Sequence, residues 1–121
     1  MEHDFSFPSQ ERLKSRAAIS RLFQSGKVAK KYPLILRYAS ASEDEPGLKA
    51  AFVVPKKRLA KAIQRNRVKR QIRECYRLNR KQLLGEQSLH LMFIYTGNYP
   101  ASSTAIESAM TKLLSQLSKA V

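Results

Sequence analysis

Apolar residues recur along this chain with two distinct periods, and the switches between them mark its elements. From Ser15 to Ser25, Ala18, Ile19, Leu22 and Phe23 fall at helical spacing, and Gly26 stands where a helix stop belongs. Tyr32 to Ala39 and Leu48 to Val54 read as strands, separated by a polar turn over 40–47 that holds Glu43-Asp44-Glu45-Pro46-Gly47. Their proximity predicts a hairpin. A long helical stretch follows and ends before Gly85. Leu89, Leu91, Phe93 and Tyr95 then alternate with His90, Met92 and Ile94, and because both sets are fairly apolar the strand is expected to be central and buried. Ser102 to Ala120 closes the chain as a helix with Ile106, Met110, Leu113, Leu114 and Leu117 as its core stripe and Ser103 or Thr104 as its N-cap.

The predicted order is therefore αββαβα, an α/β (α+β) sandwich with one small sheet and helices packed on it. With 121 residues the chain fits a single domain over 1–121. Residues 1–14 are expected to be extended, with Phe5, Phe7 and Leu13 able to pin them to the body.

Charge changes the picture. The formal net charge is +14 at pH 7. Between Lys56 and Lys81 stand twelve Lys and Arg against one acid, Glu74. At about 100° per residue, Arg65, Asn66, Lys69, Arg70, Arg73, Arg77 and Arg80 share an arc of roughly 140° on one helix. Val68, Ile72, Cys75 and Tyr76 lie on the other side and would pack on the sheet. Glu74 can brace Arg70 and Arg77. Like charges on one face repel, so the arc contributes nothing to a bare fold, whereas a phosphate backbone would neutralise it and release counterions. Arginine suits bidentate phosphate contacts, and Asn66 offers both a donor and an acceptor to a base edge or ribose. A membrane-surface helix fits less well, since the face opposite the charges is narrow and carries Cys75 and Asn79.

Other chemistry is poorly supported. Cys75 is the sole cysteine, and His3 and His90 are the only histidines. Neither a zinc site nor a Cys–His enzyme follows from these. The acids are scattered, which disfavours a nuclease working through metal-holding carboxylates. A general or ribosomal RNA-binding protein would account for the charge. The N-terminus lacks the basic start and apolar run of a secretory signal, and no stretch reaches the length of a membrane span, so a cytoplasmic location is expected.

The run Lys56-Lys57, seven residues, Arg65-Asn66-Arg67-Val68-Lys69-Arg70, two residues, Arg73-Glu74 resembles the signature of the bacterial ribonuclease P protein subunit. Arg12-Leu13, the helix end from Phe23 to Gly26, the predicted hairpin and the final strand and helix fall in that family's order. The resemblance implies an unusual left-handed crossover into the basic helix. It implies a protein that binds a catalytic RNA subunit and the 5′ leader of precursor tRNA, promoting endonucleolytic removal of that leader. Catalysis would reside in the RNA, with Mg2+ acting mainly there. Protein metal positions are left open, and no obligate protein partner is evident. The implied RNA-subunit contacts are Lys56, Lys57, Arg58, Lys61, Arg65, Asn66, Arg67, Lys69, Arg70, Arg73 and Arg77. The implied leader cleft, between the first helix and the sheet, is lined by Ile19, Phe23, Arg37 and Tyr38. Ile19 stands where many members have an aromatic residue. The region around Gly97 lacks the basic residue common in the family.

Overall fold

The computed structural model describes residues 12–41, 46–84 and 87–120. The elements are α1 (Arg16–Ser25), β1 (Lys27–Lys31), β2 (Leu34–Ser40), β3 (Lys49–Val53), α2 (Ala62–Leu84), β4 (Leu89–Tyr95) and α3 (Ser103–Ala120). The α+β class is as expected. The expected positions for Phe5, Phe7 and the acidic residues Glu43 to Glu45 lie outside the described residues.

Two expectations are corrected. The order holds a further strand, β1, and the hairpin is β1–β2 instead of β2–β3. The sheet runs β1-β2-β4-β3, with β2 antiparallel to both β1 and β4, and β3 parallel to β4. β1 reads Lys-Val-Ala-Lys-Lys and is exposed except at Ala29. An edge strand carrying lysines needs no apolar alternation, so it leaves little mark in the pattern. β4 is buried on both faces, and seating β2 and β3 on its two sides covers more apolar surface than pairing them with each other.

The sheet separates two apolar layers. On one face Leu34, Leu36, Leu91, Phe93 and Tyr95 meet Val68, Ile72 and Tyr76 of α2 and Ile106, Met110, Leu113, Leu114 and Leu117 of α3. Phe93 is its centre, with ring centroids 5.8 Å from Phe52 and 5.4 Å from Tyr76. On the other face Leu13, Ala18, Leu22 and Met92 form a smaller cluster beneath α1.

Local chemistry sets the helix ends. Ser15 Oγ accepts from the Ala18 N–H at 3.2 Å and caps α1. Gly26 ends it without a left-handed turn: its φ is −69°, and a Cβ there would lie 2.5 Å from the Leu22 oxygen. Glycine is required by that close approach. The cap of α3 is Ser102, whose Oγ accepts from Ala105 N–H at 3.1 Å, one residue before the expected pair.

The hand of the β3–α2–β4 crossover follows from the chirality of one residue. Leu13 N–H donates to Ala50 O at 2.9 Å, and Arg12 bridges Ala50 in parallel, so that carbonyl points away from β4. The Ala50 side chain points into the α2/α3 layer. For an L-residue these two directions and the strand direction fix the arrangement. With α2 in front of the sheet and β3 running upward, β4 lies to the left. The crossover is left-handed, as the resemblance implied and against the usual rule.

Candidate nucleic-acid interface

Rotation of α2 is set by its buried stripe: Val68, Ile72 and Tyr76 are fully covered by the sheet and α3. Everything opposite is turned outward. Lys56, Lys57, Arg58, Lys61, Asn66, Arg67 and Arg70 are exposed, and Arg65, Lys69, Arg73 and Arg77 are half-buried. The structure therefore leaves every one of the expected RNA-subunit contacts, on α2 and the loop before it, at least partly exposed.

The set is not uniform. Arg65 turns back on its own loop, its Nη1 donating to Leu59 O at 2.9 Å and to Ala60 O at 2.7 Å. Arg77 is held by Glu74 through two bonds, Nε to Oε1 at 3.2 Å and Nη2 to Oε2 at 2.6 Å. Those bonds hold the Glu74 carboxyl below its usual range. The expected brace thus forms to Arg77; its bonds do not reach Arg70.

Arg73 is in the opposite situation. It lines a cavity of about 310 Å³ together with Arg12, Leu13, Lys14, Ala50, Ala51, Phe52 and Lys69. Four cations converge there from two distant parts of the chain. The Arg73 Nε is buried with no hydrogen-bond partner among the described residues. Burial, then the positive charges of Arg12 and Arg70, push its pKa down. Such a site is built for an anion. Reading α2 by itself misses Arg12 and Lys14, which reach the cavity only because their segment runs along the outer edge of β3.

The second predicted site lies on the other face of the sheet. Phe23 closes α1 and is 52% exposed, so it is not a core residue. Arg37 reaches from β2 to the α1 C-terminus, its Nη1 donating to Leu22 O at 3.3 Å and Phe23 O at 3.2 Å. There it satisfies terminal carbonyls and complements the helix dipole. Its guanidinium carbon lies 5.3 Å from the centroid of the Phe23 ring. The pair makes a rigid aromatic surface with an attached positive charge, suited to stacking a base beside its phosphate. Ile19 packs half-buried in the cluster beneath α1. Tyr38 does not join them. Its neighbour in register is Leu91, and it packs against the α2/α3 core on the opposite face, because adjacent strand residues point to opposite sides.

At Gly97 the fold leaves no room for a longer side chain: a Cβ would lie 2.6 Å from Tyr95 Oη and 3.0 Å from Pro33. Cys75 is half-buried, and burial pushes its thiol up to about 11, so it is not a ready nucleophile. Among the described residues no three His, Cys, Asp or Glu gather to hold a metal ion, and no helix is long and apolar enough to cross a membrane.

Comparison with known proteins agrees with this geometry. A family model described as Ribonuclease P matches residues 7–118. The chain is 36% identical over 116 residues to the ribonuclease P protein component of Porphyromonas gingivalis, covering 91% of this chain and 85% of that protein. In fold it is similar to the RNase P protein from Thermotoga maritima, with a TM-score of 0.73 at 21% identity over 88% of this chain and 96% of the other. The Staphylococcus aureus RNase P protein gives a TM-score of 0.72 at 18% identity over 88% and 94%. A basic α2 on a sheet of this topology, matched over nearly its whole length by the family model, places this chain in the ribonuclease P protein family.

Proposed function

We propose that this chain is the protein component of a ribonuclease P holoenzyme, in which it docks a catalytic RNA through α2 and the loop before it. Its role is tRNA 5′ maturation. The observation that carries the reading is the cationic side of α2: it is outward-facing, has one described acid, and gains energy only when phosphates displace its counterions. The Phe23–Arg37 platform lies on the opposite face of the sheet, which leaves it open to the 5′ leader of the substrate while α2 is occupied. Holding both partners at once raises the effective concentration of substrate at the RNA.

Hydrolysis is assigned to the RNA subunit. The acids are scattered along the sequence, which gives little support to a nuclease working through protein-held metal ions. Magnesium ions are assigned to RNA phosphates. The protein's part is to bind, orient and neutralise.

Reconstitution tests this. Purified protein should stimulate cleavage of precursor tRNA by the cognate RNA at limiting magnesium, and should cleave nothing without the RNA. No stimulation, or robust RNA-free cleavage, would overturn the assignment.

A further inference from the structure

Arg65 opens the Arg-Asn-Arg run, yet its guanidinium is aimed inward. Five contacts order the loop before α2. Arg58 N–H and Leu59 N–H both donate to Pro55 O, at 3.0 and 3.2 Å. The Leu59 side chain is 4% exposed and plugs the main core. Arg65 Nη1 then binds the carbonyls of Leu59 and Ala60, at 2.9 and 2.7 Å. These two carbonyls sit where the chain turns into α2, and one donor group bridges both. The same loop carries Lys56, Lys57, Arg58 and Lys61, all exposed. Their mutual repulsion favours spreading the loop, and the Arg65 bridge opposes it.

We propose that Arg65 is a positioning residue: it fixes the loop over 55–61 so that Lys56, Lys57, Arg58 and Lys61 present one phosphate-binding surface continuous with α2. This rests on the reading of α2 as an RNA-docking helix. Arg67 and Arg70, which are exposed and face away from the loop carbonyls, keep the direct role.

The test combines Arg65→Met, which retains the stem, and Arg65→Lys, which retains the charge but lacks the planar fork. In the RNA-free protein, backbone NMR shifts of Ala60 and Lys61, whose amides follow the bridged carbonyls, should move in both variants, while those of Val68 to Tyr76 stay. Affinity for the cognate RNA subunit is then measured across KCl concentrations in two backgrounds. In the wild-type background either variant should weaken binding about tenfold or more. With Lys56, Lys57, Arg58 and Lys61 all changed to Gln, the same Arg65 change should cost less than about twofold, since nothing remains to position. An equal loss in both backgrounds, or a salt slope shallower by roughly 0.7–0.9 from Arg65→Met alone in the Gln background, would show direct phosphate contact and overturn the proposal. If wild-type protein bound no RNA, the functional reading would fall, and unmoved loop shifts would separately reject the bridge.

Discussion

Replacing Arg73 with Met should make the RNA-free protein more stable and its RNA complex weaker. The stem of Arg73 packs on the sheet side of α2, and Met preserves that stem and its helix propensity. What the change removes is a half-buried cation with an unsatisfied Nε, next to Lys69 and facing Arg12 and Lys14 across a cavity of about 310 Å³. A buried donor without a partner costs about 1–3 kcal/mol. Arg73 keeps part of its surface in water, so the low end, about 1 kcal/mol, is the expected gain. With about 2.1 cal/mol/K of unfolding entropy per residue over 121 residues, that raises Tm by roughly 4 °C. In the complex the same group would make a charge-assisted hydrogen bond of about 1.5–3 kcal/mol to phosphate, so affinity should fall roughly 10- to 150-fold. The log–log salt slope should become shallower by about 0.7–0.9. Thermal melts of the RNA-free protein and filter binding across a KCl series read both quantities. A lower Tm with an unchanged salt slope would refute the reasoning, because it would make Arg73 an ordinary structural side chain.

Three further outcomes are expected. Phe23→Ala should change stability by no more than about 1 kcal/mol, the scale of the lost Arg37 contact, yet weaken binding of leader-bearing tRNA by about 1–3 kcal/mol; an equal loss for mature tRNA, which has no leader, would reject the platform. Phe93→Ala empties the site between Phe52 and Tyr76 and should cost about 3–5 kcal/mol, much of the 5–15 kcal/mol typical of a whole domain; a chemical denaturation midpoint close to wild type would contradict the packing described. Cys75, pushed up from 9.0 to about 11 by burial, should react with iodoacetamide at pH 8 roughly 100-fold more slowly than an unperturbed thiol. Because the unfolded thiol ionises first, stability is fully present below about pH 9 and declines as pH rises toward 11. Burial raises the Tyr76 hydroxyl in the same direction. A denaturation midpoint unchanged between pH 8 and pH 10.5 would contradict this.

The helices were legible in the chain because each carries a 3.6-residue apolar stripe that survives translation into structure: Ala18 and Leu22 in α1, Val68, Ile72 and Tyr76 in α2, and Ile106, Met110, Leu113, Leu114 and Leu117 in α3 are all buried. β4 was legible as the central strand because it is apolar on both faces. β1 was not, since a lysine-rich edge strand gains its stability from the ladder with β2 and not from a buried face of its own. Strand partners were misjudged for a related reason. Local proximity favours joining Leu34–Ser40 to Lys49–Val53, but the apolar strand β4, made forty residues later, outcompetes that pairing on both sides.

The sequence by itself determined where the positive charge is concentrated and which helix would present it to a polyanion, because charge and helical period are both properties of order along the chain. Which cations are available to that polyanion was decided only in three dimensions. Arg65 is turned onto the carbonyls of Leu59 and Ala60, Arg77 is tied to Glu74, and Arg73 is left against Arg12 and Lys14, brought beside it by the edge of β3. Tyr38 was sent to the opposite face from Arg37 by the alternation of one strand. Periodicity specifies the direction in which a side chain leaves its own element; which groups it then meets depends on the neighbouring element, and that is fixed by packing over long sequence separations.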